Sequence, residues 1–299
     1  MARMRTAVDE RTTVAELRDG AEIEGVFACS RKDRLVAKNG SPYLAVELRD
    51  RTGAIPARAF RDVDFMAGQF ERGDLVWVTG RVERFRDELQ VELRAIRRAE
   101  DAAEPADFLP VAYRDLDELD GFLEHLAREV HDRDYCALLD AFLGDKGFRE
   151  ELRRAPCTRA GHHAYLGGLL EHTVAVTMLA HEACGLHPRL DSDLLLTAAI
   201  LHDVGKTREF ELGADIELSE EGAMVGHLAL GQQLITARAA RLESFPAGKL
   251  LAISHCVLAH HGTDGLPGRR FRLPEALALY RLNALDAAVK GALEHGLAA

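Results

Sequence analysis

The spacing of apolar residues changes once along this 299-residue chain, and the change limits the fold to two dissimilar parts. Between residues 20 and 98 apolar residues alternate, as in "SPYLAVELRD", where Leu44, Val46 and Leu48 share one face. From residue 113 the interval becomes three or four, as in "LDELDGFLEHLAREV", which is typical of an amphipathic helix. The stretch between them, "RRAEDAAEPADFLP", is acidic and holds two prolines, as linkers do. We therefore predict a β domain at residues 1–98, a linker at 99–112 and an all-α domain at 113–299.

The β part has the size of a small barrel, because about five strands fit its length, and an OB-type fold is the natural candidate. Its first long loop, "SRKDRLVAKNGS", is predicted to be basic, and its last hairpin mixes arginine with phenylalanine. Cations contact phosphates and rings stack on bases, so this mixture suits single-stranded nucleic acid, while a solvated charged loop with core aromatics is the alternative that composition leaves open. The candidate binding residues are Arg31, Lys32, Arg34, Lys38, Tyr43, Arg84, Phe85 and Arg86.

Charge is divided unevenly between the two parts. Residues 1–100 carry 19 Lys+Arg and 18 Asp+Glu, whereas the remainder carries 19 and 31 and is therefore acidic. An acidic half is compatible with a metal site and argues against a broad nucleic-acid footprint there. The five cysteines are scattered without a CxxC pair, and no secretory or membrane-spanning apolar run is visible. These features predict a cytoplasmic protein with no membrane partner.

Histidines are concentrated in the helical part. Ten of the thirteen lie between residues 162 and 261, in four groups that end or interrupt apolar helices and two more polar positions. Imidazoles and carboxylates without paired thiolates suit Mn, Fe, Zn or Ni better than a structural cysteine site. Helical bundles build internal metal sites from several helices in this way. We therefore predict a metal centre inside the helical domain.

The pair His202–Asp203 follows the apolar run "AAIL", where a charge needs a partner or a metal. Adjacent residues on a helix point about 100° apart, so Asp203 could bridge two ions while His202 binds one. Lys206 lies three residues further, on the same face as Asp203. It would either meet a substrate phosphate or form an ion pair with Asp203 or Glu209.

The order of these motifs resembles one family. "HHAYLGGLLEHT", "ILHDVGK", "VGHLALG" and "AHHG", behind "KNGSPYLAVELRDRTGAIPARAF" and "DFLP", are similar to the YhaM-type 3′–5′ exoribonucleases, which combine an OB domain with an HD phosphohydrolase domain. The resemblance covers nearly the whole chain. It implies a hydrolase with two divalent ions, Mn before Fe, Ni, Zn or Mg, that trims single-stranded RNA, or DNA, from the 3′ end.

The resemblance also implies roles for individual residues. Asp203 and Lys206 are the catalytic candidates, and one metal would be held by His172, His202, Asp203 and Asn283. Asp203 would bridge to a second metal held by His227, His260 and His261. Supporting or alternative ligands are His163, His255 and Asp286.

Asn283 departs from the family pattern, since it stands where the family has an aspartate, while Asp286 matches the second aspartate of that segment. An amide is a weaker, neutral ligand, which leaves open the alternative of a nucleic-acid-binding module with a degenerate metal site. The acidic helical half leaves open a second alternative, a phosphohydrolase of small or cyclic nucleotides. A homo-oligomer is compatible with either.

Overall fold

The structure is a computed structural model that describes residues 13–37, 40–99 and 108–296. The chain divides into two compact units, Met1–Pro110 with Leu212–Asp215, and Val111–Glu211 with Ile216–Ala299. Most of the predicted linker lies outside the described residues. The domain boundaries at 98 and 112 therefore stay predictions.

The first unit is a closed barrel with strand order β1-β2-β3-β5-β4. Strands β3 and β5 pair in parallel and the other neighbours are antiparallel, so the predicted five-stranded OB-type barrel is confirmed. A short helix, α1, connects β3 to β4. The bounds are β1 Glu22–Val36, β2 Pro42–Asp50, β3 Gly53–Ala59, α1 Val63–Ala67, β4 Leu75–Phe85 and β5 Glu88–Arg98.

Alternation along the strands fills the barrel with one apolar core. Leu44, Val46 and Leu48 of β2 are buried there, as their spacing predicts. Strand β4 shifts register against β5 between Thr79 and Gly80. A Cβ at residue 80 would overlap the carbonyl oxygen of Glu92, so this position requires glycine.

The prediction of a first long loop at "SRKDRLVAKNGS" is largely wrong. Strand β1 runs to Val36, and Arg31 to Val36 pair with β2. The strand was missed because this end of the hairpin is mostly exposed on both faces, so no buried alternation marks it. The cations of this segment therefore stand on a regular ribbon, except Lys38, which lies outside the described residues.

The second unit is helical, which confirms the predicted all-α domain apart from one short hairpin, β6–β7, that starts there. Its apolar core includes the predicted face of α2, namely Leu119, Leu123 and Leu126. The elements are α2 Leu116–Arg128, α3 Arg133–Leu143, α4 Lys146–Arg154, α5 Gly168–Leu186, α6 Ser192–Leu201, α7 Lys206–Glu209, β6 Phe210–Leu212, β7 Ile216–Leu218, α8 Glu220–Ala239, α9 Ala247–Ala259 and α10 Pro274–His295. Among the described residues, every helix is too short or too polar to cross a membrane.

Helix ends deliver the candidate ligands to the interior of this unit. His202 terminates α6 and His260 terminates α9, and both side chains are buried. Helix α8 is interrupted at Gly226, whose φ of 75° is unstrained only for glycine, and His227 follows directly. The apolar runs that precede His202 and His260 therefore anchor α6 and α9 in the core and leave these two imidazoles at the helix ends, whereas His227 is placed by the interruption at Gly226.

Candidate metal centre and nucleic-acid interface

Asp203 presents its two carboxylate oxygens to two different groups of imidazoles. Its Oδ2 lies 3.3 Å from Nε2 of His202 and 3.5 Å from Nε2 of His172. Its Oδ1 lies 3.3 Å from Nε2 of His260 and 3.6 Å from Nε2 of His227. We call His172, His202 and Asp203 the first set, and Asp203, His227, His260 and His261 the second set. Within each set the donor atoms lie within 4.8 Å of one another.

Hydrogen bonds fix the rings of the first set. Nδ1 of His202 donates to the carbonyl oxygen of Ala199 at 2.7 Å. Nδ1 of His172 lies 2.6 Å from Oδ2 of Asp286. Because both partners are acceptors, each ring carries its proton on Nδ1 and keeps the lone pair on Nε2. These two Nε2 atoms face each other at 3.2 Å.

The second set is oriented in the same manner. Nδ1 of His260 donates to the carbonyl oxygen of Val257 at 2.7 Å, and Nδ1 of His227 lies 2.9 Å from Oε1 of Glu209. Glu209 also accepts the main-chain N–H of His227 at 3.0 Å. This supporting role of Glu209 was not predictable from the sequence, since the contact spans 18 residues. Nε2 of His227 lies 3.0 Å from Nε2 of His261.

The donor atoms fit a divalent cation. Oδ1 of Asp203 and Nε2 of His260 are buried and are not in hydrogen-bonding geometry with any partner among the described residues, although they lie 3.3 Å apart. Unsatisfied buried groups of this kind cost about 1–3 kcal/mol each. A cation between the facing nitrogens and the carboxylate would satisfy them. The described residues therefore form a divalent metal site.

The electrostatic environment keeps the ligands in their metal-binding forms. Burial lowers the pKa of His172 to about 4, of His260 to about 3 and of His261 to about 4, so these rings are neutral at pH 7. Burial alone would raise the pKa of Asp203, but the ammonium of Lys206 holds it well below its usual range. Neutral imidazoles and an ionised carboxylate are the forms that bind metal.

Lys206 is placed where the alternative prediction put it. Its Nζ lies 2.7 Å from Oδ2 of Asp203 and 3.4 Å from Sγ of Cys157, and the residue is 5% exposed. An ammonium that is buried in an ion pair does not reach into solvent. We therefore revise the role of Lys206 from a contact with substrate phosphate to the counter-ion of Asp203.

Asn283 and Asp286 have contacts that differ from the ligand roles that the family pattern implies. The buried Asn283 donates from Nδ2 to the main-chain oxygen of His260 at 3.4 Å. Asp286, one turn further along α10, instead accepts the hydrogen bond from His172. Asp286 therefore supports a ligand of the first set, and Asn283 supports the main chain of a ligand of the second set.

A buried polar chain extends from Asp286 away from the ligands. Oδ2 of Asp286 lies 3.1 Å from Nε2 of His163, whose Nδ1 lies 2.9 Å from the hydroxyl of Tyr165. Tyr165 donates to Glu171 at 2.8 Å, and Lys290 donates to the other oxygen of Glu171 at 3.0 Å. His163 adopts φ 53°, a strained conformation for a non-glycine residue that surrounding contacts must maintain.

His255 lies apart from both sets. Its Nε2 accepts the main-chain N–H of Arg272 at 2.9 Å. The prediction that His255 is a supporting or alternative ligand therefore has no support in the geometry, because this nitrogen serves the loop that precedes α10.

Gly205 lets the main chain after Asp203 approach the main chain of α8 at His227. A Cβ at residue 205 would overlap the carbonyl oxygen of His227 and crowd the main-chain nitrogen of Gly231. The segment after Asp203 therefore packs backbone against backbone on α8.

The barrel carries an aromatic and basic face. The rings of Tyr43 and Phe60 stack at 5.7 Å, and the guanidinium of Arg58 lies 5.9 Å from Tyr43 and 5.2 Å from Phe85. Arg86 lies 5.3 Å from the ring of Phe85. Phe60 and Phe85 are exposed, at 52% and 44%. The sequence interpretation missed Arg58, an outward residue of β3, and Phe60, which directly follows that strand.

Three of the other predicted cations pair with acidic side chains. Arg31 pairs with Asp33 at 2.5 Å, Lys32 with Glu71 at 2.9 Å and Arg34 with Asp64 at 2.8 Å. Arg84 donates to the main-chain oxygen of Asp87 at 3.2 Å, within the last hairpin.

Comparison with known proteins agrees with both units. A family model described as an OB-fold nucleic acid binding domain matches residues 26–98, and a model described as an HD domain matches residues 169–288. A 3′-5′ exoribonuclease YhaM from Oceanobacillus iheyensis is 30% identical over 245 residues, which are 81% of this chain and 76% of that protein. A protein of the same name from Shouchella clausii is 29% identical over 280 residues, or 91% of this chain and 85% of that protein. These matches confirm the resemblance found in the sequence, and the chain belongs to the YhaM family of 3′–5′ exoribonucleases.

Proposed function

We propose that this chain is a metal-dependent 3′–5′ exonuclease that hydrolyses phosphodiester bonds of single-stranded RNA, and of DNA as a second substrate. The observation that carries the proposal is the division of Asp203 between two sets of imidazoles. Such a carboxylate suits a pair of ions that share one ligand.

The two sets would hold two ions, Mn first, with Fe, Ni, Zn or Mg as the other candidates. Imidazole nitrogen and carboxylate oxygen, without a thiolate, match these metals. Bound ions would supply Lewis acidity to the scissile phosphate and an activated water as the nucleophile. Asp203 would bridge them, while His172 and His202 serve one and His227, His260 and His261 serve the other. In this proposal Asn283 and Asp286 position ligands.

Residues around the centre keep the carboxylate of Asp203 ionised and hold two of the imidazole rings in place. Lys206 balances Asp203 before ions bind, and removal of either partner would leave a buried charge. Glu209 and Asp286 hold the two imidazoles that come from α8 and α5. The site would therefore be preorganised, so that metal and substrate meet side chains already in place.

The aromatic and basic face of the barrel would hold the single strand. Phe60 and Phe85 expose ring surface on which bases could stack, and Arg58 and Arg86 lie beside these rings to contact phosphates. We prefer this face as the strand-binding surface to the ribbon that carries Arg31, Lys32 and Arg34, because those cations already have acidic partners. A cytoplasmic location and a homo-oligomer stay predictions.

The test uses 5′-labelled single-stranded RNA and DNA with Mn, Mg or a chelator, and products are resolved by length. We expect a ladder that shortens from the 3′ end and is abolished by chelator. A cyclic dinucleotide is assayed in parallel. Turnover of the cyclic dinucleotide alone would favour the small-nucleotide hydrolase, and protein that lacks both activities and binds no metal would favour the degenerate binding module.

A further inference from the structure

Four arginines lie in the loop between α9 and α10 and on α10 itself, within the acidic helical unit. We call Arg269, Arg270, Arg272 and Arg281 the arginine patch. All four are exposed, and no carboxylate lies within 4.0 Å of their guanidinium groups among the described residues. Three of them fall within four positions of a sequence whose portion beyond residue 100 has a net charge of −12. The patch is therefore a local reversal of the charge that surrounds it.

The loop that carries Arg269, Arg270 and Arg272 is held by contacts with α9 and α10. It follows His261 directly and ends at α10. The ring of Phe271 stacks on Tyr280 with centroids 5.6 Å apart, and the main-chain N–H of Arg272 donates to His255 at 2.9 Å. Arg281 lies over the ring of Tyr280 at 4.9 Å. The loop is thus tied to both helices that flank it.

The same two helices position a ligand of the metal centre. Helix α9 ends at His260, and Asn283, three residues after Tyr280 on α10, donates to the main-chain oxygen of that histidine. Residues three apart on a helix lie on one face. The arginine patch is therefore carried by the same two helices, and the loop between them, that position the second set.

Guanidinium groups suit the ligand that must reach this rim. Arginine binds phosphate through paired, charge-assisted hydrogen bonds, and an arginine without a carboxylate partner needs to break no ion pair first. An acidic unit repels a polyanion unless positive charge is placed where the strand enters. Side chains in a loop held by ring stacking lose less freedom on binding.

We propose that the arginine patch binds the backbone phosphates of the single strand just upstream of the bond to be cleaved, as a second strand-binding site besides the barrel. This inference rests on the proposed function, because it assumes that a single strand is the substrate of the metal centre. The patch would hold the 3′-terminal nucleotides while the barrel holds nucleotides further from the end.

The experiment measures binding of the full chain to a 5′-fluorescein single-stranded RNA in chelator, over a range of salt concentrations. Each lost phosphate contact lowers the slope of log K against log salt by about 0.7, so R269A/R270A/R272A should lower it by about 2. The control R133A/R189A/R241A removes the same charge from three exposed arginines elsewhere in the helical unit. We expect its slope to fall by less than about 0.7, which is less than one contact.

Two further measurements make the outcome decisive. R269K/R270K/R272K keeps the charge and should keep the slope, and thermal unfolding of every variant checks that each is folded. An unchanged slope for the alanine variant, or an equal fall in the control, would overturn the patch. Trimming by the native chain with Mn is measured on the same strand. Absence of trimming would overturn the proposed function, while the slopes would still decide whether the patch binds RNA.

Discussion

Oδ2 of Asp286 lies 2.6 Å from Nδ1 of His172, while Nε2 of the same ring faces Asp203. A carboxylate in this position fixes which nitrogen carries the proton and increases the basicity of the other. Burial alone would raise the pKa of Asp286, but hydrogen bonds from His163 and His172 lower it. The carboxylate therefore stays ionised and keeps His172 oriented as a ligand.

Asp286→Asn should raise the Mn concentration needed for half-maximal trimming by about 10–100-fold, as loss of a ligand's supporting carboxylate does elsewhere. Calorimetric titration of Mn into metal-free protein provides a readout that is independent of activity. Asp264→Asn, in the exposed loop before α10, is the matched control and should leave both midpoints in place. Equal midpoints for native protein and Asp286→Asn would show that the contact does not support a metal ligand.

Asp203→Ala and Asp203→Asn should each lower the rate of trimming by far more than tenfold, because both sets lose their shared ligand. A tenfold loss corresponds to about 1.4 kcal/mol in the barrier. The asparagine variant retains the volume of the side chain and guards against misfolding, which circular dichroism would report. His131→Ala is the control, because His131 is an exposed histidine that also directly precedes an aspartate, and it should retain the native rate. A variant of Asp203 with more than a tenth of that rate would exclude the bridge.

Lys206→Met should destabilise the metal-free protein by about 3–5 kcal/mol, because it leaves the buried carboxylate of Asp203 without its partner. Saturating Mn should recover part of this loss, since ions that bind only the folded state stabilise it. Urea unfolding with chelator and with Mn measures both effects. The same loss under both conditions would mean that the metal does not compensate the charge of Asp203.

Asn283→Asp should lower the free energy of unfolding in chelator by about 1–3 kcal/mol, because a carboxylate cannot donate to the main-chain oxygen of His260. Urea unfolding of metal-free protein tests this. If Asn283 were instead a metal ligand, the added charge would tighten binding, and Mn titration would show a lower midpoint than in native protein. Our expectation is a midpoint that does not fall.

Replacement of Arg58, Arg84 and Arg86 by alanine should weaken binding of single-stranded RNA and lower its salt slope by up to about 2, at about 0.7 per phosphate contact. The comparison variant replaces Arg31, Lys32 and Arg34, whose charges are already paired, and should change the slope less. Phe85→Ala should cost about 1–3 kcal/mol of binding without changing the slope, because stacking releases no counterions. A larger slope change in the comparison variant would move the strand to the ribbon of β1.

The sequence was sufficient to predict the barrel and the helical unit, and every member of both sets was among the candidate ligands, whereas the candidate Asn283 instead contacts the main chain of His260. His202, His227 and His260 were recognisable because each interrupts an apolar run, which marks a polar group brought into a core. Their assignment to two sets around Asp203 relied on the family resemblance and not on spacing.

Contacts between distant residues were not predictable. Glu209 and Tyr165 look like ordinary surface residues until folding brings them beside His227 and His163. Spacing alone also left Lys206 with two roles, since residues three apart on a helix can pair or point past each other. Only its burial against Asp203 favours one of them.

The close packing at Gly205 has a consequence for how the two halves of the centre respond to change. Since the segment after Asp203 rests on the main chain at His227 with no side chain between them, the separation of Asp203 from α8 is set by backbone atoms. Substitutions in nearby side chains therefore leave that separation unaltered, whereas any side chain at position 205 would push the two apart. The separation of Asp203 from α8 would therefore depend on the absence of a side chain at position 205. Other side chains around the metal centre could then change without changing that separation.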